Sequence, residues 1–379
     1  MTTSVYLDYN ASAPVRPEAA AAVARALEVG GNPSSVHASG RAARALMEEA
    51  RARVGALIAA PPQTVVFTSG GTEANALAIE SAVAAGARRL IVSAIEHPSV
   101  LESARASGAA VELLPVDGDG RADLAWLANR LARWDGADGK PFVALMLANN
   151  ETGVVQPVLE ASQIVRQHDG WLHVDAIQAA GKLAIDSRGL GADTLSISGH
   201  KLGAPQGVGA LTFGPRATLA RRQHGGGQER GRRAGTENLP GIAGLGAATT
   251  WINLAPQAAW RDAAAERLKA AGAVALGEGA PRLPQTLCVA TPGWPAELQV
   301  MALDLAGVMI SAGSACSSGK VTPSAVLTAM GRADLAPFAI RVSGGWNTNE
   351  SDWNRFVEAW FEAHERHAAR RRQPVAAGV

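Results

Sequence analysis

Between residues 65 and 213, short apolar runs and helix-like stretches take turns along the chain. The apolar runs lie at 65–68, 89–93, 111–115, 143–148, 171–174, 194–198 and 210–213. Between them, 74–85, 98–106, 122–133 and 159–168 read as helices. This alternation predicts an α/β fold, with a largely parallel sheet and helices on both faces. Most runs, PFVALMLA among them, are apolar at consecutive positions, as strands covered on both faces are.

The pattern changes after about Gly246. A long helix is expected over 251–271, a loop over 277–284, a strand over 286–290 and a helix over 296–306. A loop around Cys316, a helix at 323–330, a strand at 338–342 and a final helix at 351–371 follow. The expected division is a large α/β domain over 12–250, and a smaller α+β domain over 1–11 plus 251–379 that carries the Cys316 loop. A length of 379 residues suits two such domains. No repeat of solenoid length occurs.

Composition narrows the function classes. Hydrophobic residues make up 47% and charged residues 18%, which suits a well-buried globular protein. A formal charge of +1 leaves no basic excess for nucleic acid as the main partner. The apolar runs are too short to span a membrane, so no membrane partner is expected. The start, MTTSVYLDYN, lacks the basic and apolar regions of a signal peptide. With two cysteines no disulfide framework can form, which points to a reducing, cytoplasmic location.

Ligands of open α/β sheets bind beyond the carboxyl ends of the strands, so the residues after each strand are the candidates. After 65–68 comes Ser69-Gly70-Gly71-Thr72-Glu73-Ala74-Asn75. Its small residues and the following helix start suit an anion, with Thr72 adding a hydroxyl; a plain helix-cap turn reads equally well. After 171–174 comes Asp175, then Gln178. A carboxylate at a strand end needs a cation, unless it caps a helix. After 194–198 comes SISGHKLGAPQG, with Ser198, His200 and Lys201. The five lysines are Lys140, Lys182, Lys201, Lys269 and Lys320, and only Lys201 has surroundings unlike an ordinary loop or helix. A lysine in a partly dry cleft can act as an amine nucleophile, although a surface lysine is the commoner case. An anion cup, an acid and such a lysine together meet the needs of pyridoxal 5'-phosphate (PLP).

Two further segments carry candidates. Cys316 lies among small residues in Gly313-Ser314-Ala315-Cys316-Ser317-Ser318-Gly319, where a thiol is a liability unless its reactivity is used. Cys288, inside TLCVAT, reads instead as a small buried hydrophobe. The stretch 225–238 is rich in Gly and Arg, but it is short and contains Glu229 and Glu237, which argues against an RNA-binding patch.

Ten segments in order carry a resemblance that runs almost end to end. They are YLDYNASAPVRP, NPSSVHASGRAAR, FTSGGTEANALAI, EHPSVLE, LANNETGVVQP, VDAIQAAGK, SISGHKLGAPQGVGAL, GGGQERGRRAGTEN, SAGSACSSGKVTPSAVLTAMG and IRVSGG. In them the chain resembles the cysteine desulfurases, the NifS/IscS-like group of class V aminotransferases. The resemblance implies the fold type I architecture of PLP enzymes. It makes Lys201 the Schiff-base lysine, pairs Asp175 with the pyridine nitrogen and sets Gln178 on the phenolic oxygen. His97 would stack on the ring, shuttle protons and help ionise Cys316. Gly71, Thr72, Ser198 and His200 would hold the phosphate. Asn150 would contact cofactor or substrate, and Arg341 would clamp the substrate carboxylate, a role a bidentate arginine suits.

Thr236 would reach the phosphate of a second subunit, which implies a homodimer with composite active sites. Cys316 would be the nucleophile that takes sulfur from L-cysteine as a persulfide, leaves L-alanine and passes sulfur to an acceptor protein. That acceptor would be an iron–sulfur scaffold or a carrier for tRNA or cofactor thiolation. Two positions depart from the group's usual pattern: Ala325 stands where a histidine is common, and Gly344 where a leucine is. The alternatives are another PLP enzyme of this fold, such as a selenocysteine lyase or an aminotransferase, and a non-catalytic docking partner in a sulfur pathway.

Overall fold

The computed structural model describes residues 4–313 and 323–372. The chain opens with strand β1 (Val5–Tyr6), helices α1 (Pro17–Val29) and α2 (Ala38–Leu57), strand β2 (Val65–Thr68) and helix α3 (Gly71–Ala84). Next come β3 (Arg89–Ser93), α4 (Pro98–Ala106), β4 (Ala110–Leu114), α5 (Leu124–Ala132), β5 (Phe142–Ala144), α6 (Val158–Gln167) and β6 (Trp171–Asp175). They are followed by β7 (Thr194–Ser198), α7 (Gly199–Leu202), β8 (Gly209–Phe213) and α8 (Leu239–Ala248). The last third holds α9 (Gln257–Ala270), β9 (Val274–Ala275), β10 (Thr286–Ala290), α10 (Ala296–Leu305) and β11 (Val308–Met309). It ends with β12 (Ser311–Ala312), α11 (Ala325–Ala329), β13 (Ala339–Ser343) and α12 (Glu350–Arg372).

Two compact units result: Ser12–Asn150 with Val154–Ile252, and Met1–Ala11 with Glu151–Gly153 and Asn253–Val379. The larger unit is built on one seven-stranded sheet of order β2-β8-β7-β6-β5-β3-β4. The pairs β3–β4, β3–β5, β5–β6 and β6–β7 are parallel; helices lie in the connections of the first three, and a helix-free loop over 176–193 joins β6 to β7. Strand β8 is antiparallel to both neighbours. The reason is length: only α7 and a short turn separate β7 from β8, too little chain for a crossover. The sheet is therefore mostly parallel, as the alternation predicts. Its core includes Ile79, Leu90, Val92, Val100, Phe142 and Ala144, all fully enclosed.

The smaller unit has a four-stranded sheet of order β12-β13-β10-β9, antiparallel throughout, and a short parallel pair β1–β11. Helix α12 supplies Trp353, Phe356, Val357 and Trp360 to its core, spaced three or four residues apart on one helix face. Trp294 packs 5.7 Å from Trp360, centroid to centroid. Burying rings of this size stabilises the unit by roughly 2–3 kcal/mol each.

Local chemistry moved several boundaries. The helix expected over 251–271 begins only at Gln257. Pro256 disfavours helical backbone at Ala255, and the Asn253 side chain accepts the Ala255 N–H at 3.0 Å, fixing a turn instead. Strand β5 stops at Ala144 rather than 148. Leu145 and Leu147 still donate to the carbonyls of His173 and Asp175, at 3.0 and 2.8 Å. Helices α1, α2 and α8 have no counterpart in the sequence reading. No helix among the described residues is long and apolar enough to cross a membrane.

Candidate active site

Strands β2, β3, β5, β6 and β7 run in one direction, so their C-terminal ends share one edge of the larger unit's sheet. Apart from Thr236, the predicted residues of this unit follow those ends. Gly71 and Thr72 open α3 after β2; His97 caps α4 after β3; Asn150 comes after β5. Asp175 ends β6 with Gln178 just beyond, and Ser198, His200 and Lys201 follow β7.

Small residues let the backbone close up here. A Cβ on Gly71 would collide with Ile177 Cδ1 and sit 3.3 Å from Ser198 Cβ. A Cβ on Gly209, where β8 starts, would meet the Gly70 backbone at 2.6 Å. The α3 N-terminus thus lies beside the end of β7, with its first N–H groups and positive dipole end near Ser198. Thr72 is exposed there, whereas Ser198 is buried.

Asp175 is buried at 4% exposure. Its Oδ1 accepts the Ile177 N–H at 2.9 Å and its Oδ2 accepts from Asn75 Nδ2 at 2.8 Å. Burial pushes its pKa above the ordinary carboxylate value, while those hydrogen bonds, His97 and Lys201 pull it down. A second carboxyl, Glu96, is enclosed nearby and accepts the Met146 N–H at 2.5 Å. Burial, then Asp175, push Glu96 well above its usual range, which favours its neutral form. Asp175 has the hydrogen bonds and nearby cationic groups that favour its charged form, and a protonated ring nitrogen is the kind of cation that would relieve its burial cost.

Burial favours the neutral form of the histidines here. Burial, then Lys201 and Lys182, lower His200 to about 4, and its Nδ1 lies 3.4 Å from Ser12 Oγ. Burial, then Lys201, lower His97, against the pull of Asp175. Burial lowers His173, beneath the sheet edge on β6, to about 3.

One sequence expectation is corrected. Lys182 is not in ordinary surroundings: it is only 9% exposed, and its Nζ donates to Gln178 Oε1 at 2.7 Å. Gln178 is thereby held beside a cation, which suits contact with an electron-rich oxygen. Sequence reasoning also missed Asn75, Ser99 and His173, which tie these groups together. The only available signal was that Asn75 and Ser99 sit near the starts of helices that begin at the site edge.

The other predicted residues lie elsewhere. Thr236 is exposed, in the segment between β8 and α8. Arg341 belongs to the smaller unit, on β13; it is 2% exposed and its Nη2 donates to Asp8 Oδ1 at 2.8 Å. Asp8 also accepts from Ser311 Oγ at 2.7 Å. In the same unit Glu151 accepts from Ser324 Oγ at 2.6 Å. Cys316 lies outside the described residues. Cys288 is fully buried in β10, and burial drives its thiol far above the ordinary value, so it is the inert cysteine.

Known proteins resemble this chain over nearly its whole length. The family model described as aminotransferase class-V matches residues 5–356. A cysteine desulfurase of Cereibacter sphaeroides is 42% identical, over 93% of this chain and 94% of its own. A solved NifS-like protein from Rickettsia africae superposes with a TM-score of 0.87 at 30% identity, covering 96% of this chain and 99% of its own. A structure described as SspA in complex with cysteine gives a TM-score of 0.77 at 30% identity, covering 90% and 98%. Strand order, the ends that carry the polar groups and the match along nearly the whole length point the same way, and the chain belongs to the aminotransferase class-V family.

Proposed function

We propose that the chain is a PLP-dependent cysteine desulfurase. The observation that carries this reading is the buried Asp175, tied to Asn75 and sharing one sheet edge with Lys201 and the open N-terminus of α3. Cysteine desulfurases among its relatives, and a relative solved with cysteine, support the substrate. The residues fit PLP: Gly71, Thr72, Ser198 and His200 for the phosphate, Asp175 for the ring nitrogen, Gln178 for the phenolic oxygen and Lys201 for the aldehyde carbon. When bound, PLP supplies a sink for the electrons left at the substrate's Cα.

This chain's residues do the rest. Lys201 Nζ would take the proton from the substrate's Cα. Asn150 and Arg341 orient the substrate, Arg341 through its carboxylate. The Cys316 thiolate attacks the substrate sulfur: an S–S bond forms on Cys316, the C–S bond breaks, and Cβ gains a proton to complete L-alanine. The persulfide then passes to an acceptor protein, an iron–sulfur scaffold or a thiolation carrier. Thr236, exposed on its segment, serves the phosphate site of a second copy in a homodimer.

The test is to incubate the PLP-loaded protein with L-cysteine. Alanine, sulfide in the presence of a thiol, and the mass of one added sulfur on the Cys316 peptide are expected. Cys316→Ala should lose sulfide release by at least about 10²-fold, as removal of a covalent nucleophile does. Unchanged turnover in that variant would point to another PLP reaction on this fold.

A further inference from the structure

The loop after β6 sets a buried cation against Gln178. The N–H groups of Ala179 and Ala180 both donate to the Ala176 carbonyl, at 3.0 and 2.8 Å, so the chain turns at once. Those of Lys182 and Leu183 donate to the Ala179 carbonyl, at 3.0 and 2.9 Å, which makes a second turn. Within it Gly181 has left-handed backbone, with φ of 71°, and a Cβ there would meet Leu202 Cδ2 at 2.5 Å. Leu202 follows Lys201 on α7, so this turn packs directly against the helix of the candidate Schiff-base lysine. The Lys182 charge is felt there, since it helps to lower His200.

The pairing fixes the sense of the Gln178 amide. A lysine ammonium only donates, and Nζ lies 2.7 Å from Oε1, the separation of a charge-assisted bond. A flipped amide would set N–H against N–H. Gln178 is 4% exposed, so bulk water does not repair that mismatch. The oxygen therefore belongs to Lys182, and the donor end of Gln178 is the other branch, Nε2. An ammonium on the oxygen also polarises the amide and strengthens Nε2–H as a donor.

Stability alone gives no reason for this charge. Lys182 is 9% exposed, and burying an ammonium near a second lysine costs free energy that an uncharged side chain of equal length would not. The charged and titratable groups around it at this sheet edge are Asp175 on β6, Glu96 and His97 before α4, and His200 and Lys201 on α7. Arg16 packs against Gly203, just after α7.

We propose that Lys182 is a positioning residue, which locks the Gln178 amide with Nε2–H toward the phenolic oxygen of PLP and backs that donor with a positive charge. The proposal rests on the reading of the chain as a PLP enzyme, and adds to it a residue that touches neither cofactor nor substrate. A strengthened donor beside the phenolic oxygen favours the form of the Lys201–PLP chromophore that has lost its proton. It thereby holds the titration midpoint of that chromophore down.

The test uses the full-length, PLP-loaded protein without substrate, its absorbance followed against pH as the bands of the Lys201-bound cofactor interchange. Lys182→Met keeps the stem and removes the charge. Its midpoint should rise by at least about one pH unit, a tenfold gain in proton affinity. Lys182→Gln should move the same way, so the result does not depend on one variant folding. Gln178→Met should raise the midpoint as well. Adding Lys182→Met to it should then have less than about half the effect that Lys182→Met has alone, because the lysine acts through the amide. A midpoint that stays or falls in both Lys182 variants, or full additivity of the two methionine substitutions, would overturn the proposal. A wild type that takes up no PLP sinks the functional reading together with it. Uptake of PLP with an unmoved midpoint in the variants sinks the proposal alone.

Discussion

Glu151 shows what burial does to one side chain. It is enclosed in the smaller unit, and burial raises its pKa to about 7 from the usual 4.5, although Ser324 and Arg341 pull it down. The folded protein therefore keeps a proton on Glu151 that the unfolded chain gives up near 4.5. Its contribution to stability is fully present below 4.5 and is lost as pH rises through about 7. The loss amounts to at most ~3 kcal/mol. Buried His173 acts on another window: its neutral form favours folding above the usual 6.5, and that advantage is lost as pH falls toward about 3. Glu151→Gln should flatten the decline of stability between 4.5 and 7 and leave the acid limb in place. Urea denaturation of both proteins at the two ends of that window checks this. An unaltered slope in the variant would show that Glu151 is ionised throughout.

Elements are held in place by a few buried polar clamps. Arg51 on α2 makes a two-pronged pair with Glu229, at 2.7 and 2.8 Å, and also donates to the Val65 carbonyl on β2 at 2.9 Å. Glu229 accepts the Phe67 N–H at 3.0 Å as well. Glu229 and Arg230 both have left-handed backbone, with φ of 47° and 59°, a strained arrangement for two non-glycine residues. The clamp supplies what that strain costs, and it fixes the segment leading to Thr236. Arg51→Met strands the Glu229 carboxylate and should cost roughly 3–5 kcal/mol, whereas adding Glu229→Gln should recover part of that. Equal melting of the single and double variants would contradict this account.

What the sequence revealed at this scale follows from the same physics. Strand ends with glycines, Asp175 or Lys201 stand out because they interrupt apolar runs. Asn75, Ser99 and His173 do not, since their meeting depends on how α3, α4 and β6 are placed, not on spacing along the chain. Lys182 looked ordinary because nothing near it in sequence signals that it is buried against Gln178. The start of α9 was misplaced because the turn made by Asn253 before Pro256 outweighed a helix-like composition.

The larger unit's sheet mixes near and distant pairings. Strands β7 and β8 zip together across the stretch that carries Lys201, Ser198 facing Gly209. Strand β2, whose end leads into the Gly70-Gly71 turn, instead pairs with the far-removed β8, Val65 facing Thr212. Closing a short loop costs less chain entropy than closing a long one. The hairpin around the lysine should therefore assemble early during refolding, and the turn at Gly70-Gly71 should lock only when the long connection closes. Pulse-labelled hydrogen exchange would reveal this as amide protection over 194–213 ahead of 65–68; the opposite order would refute it. On the proposed function, a newly made chain would display the Lys201 amine before the proposed anion seat has formed, which would put capture of PLP among the last steps of maturation.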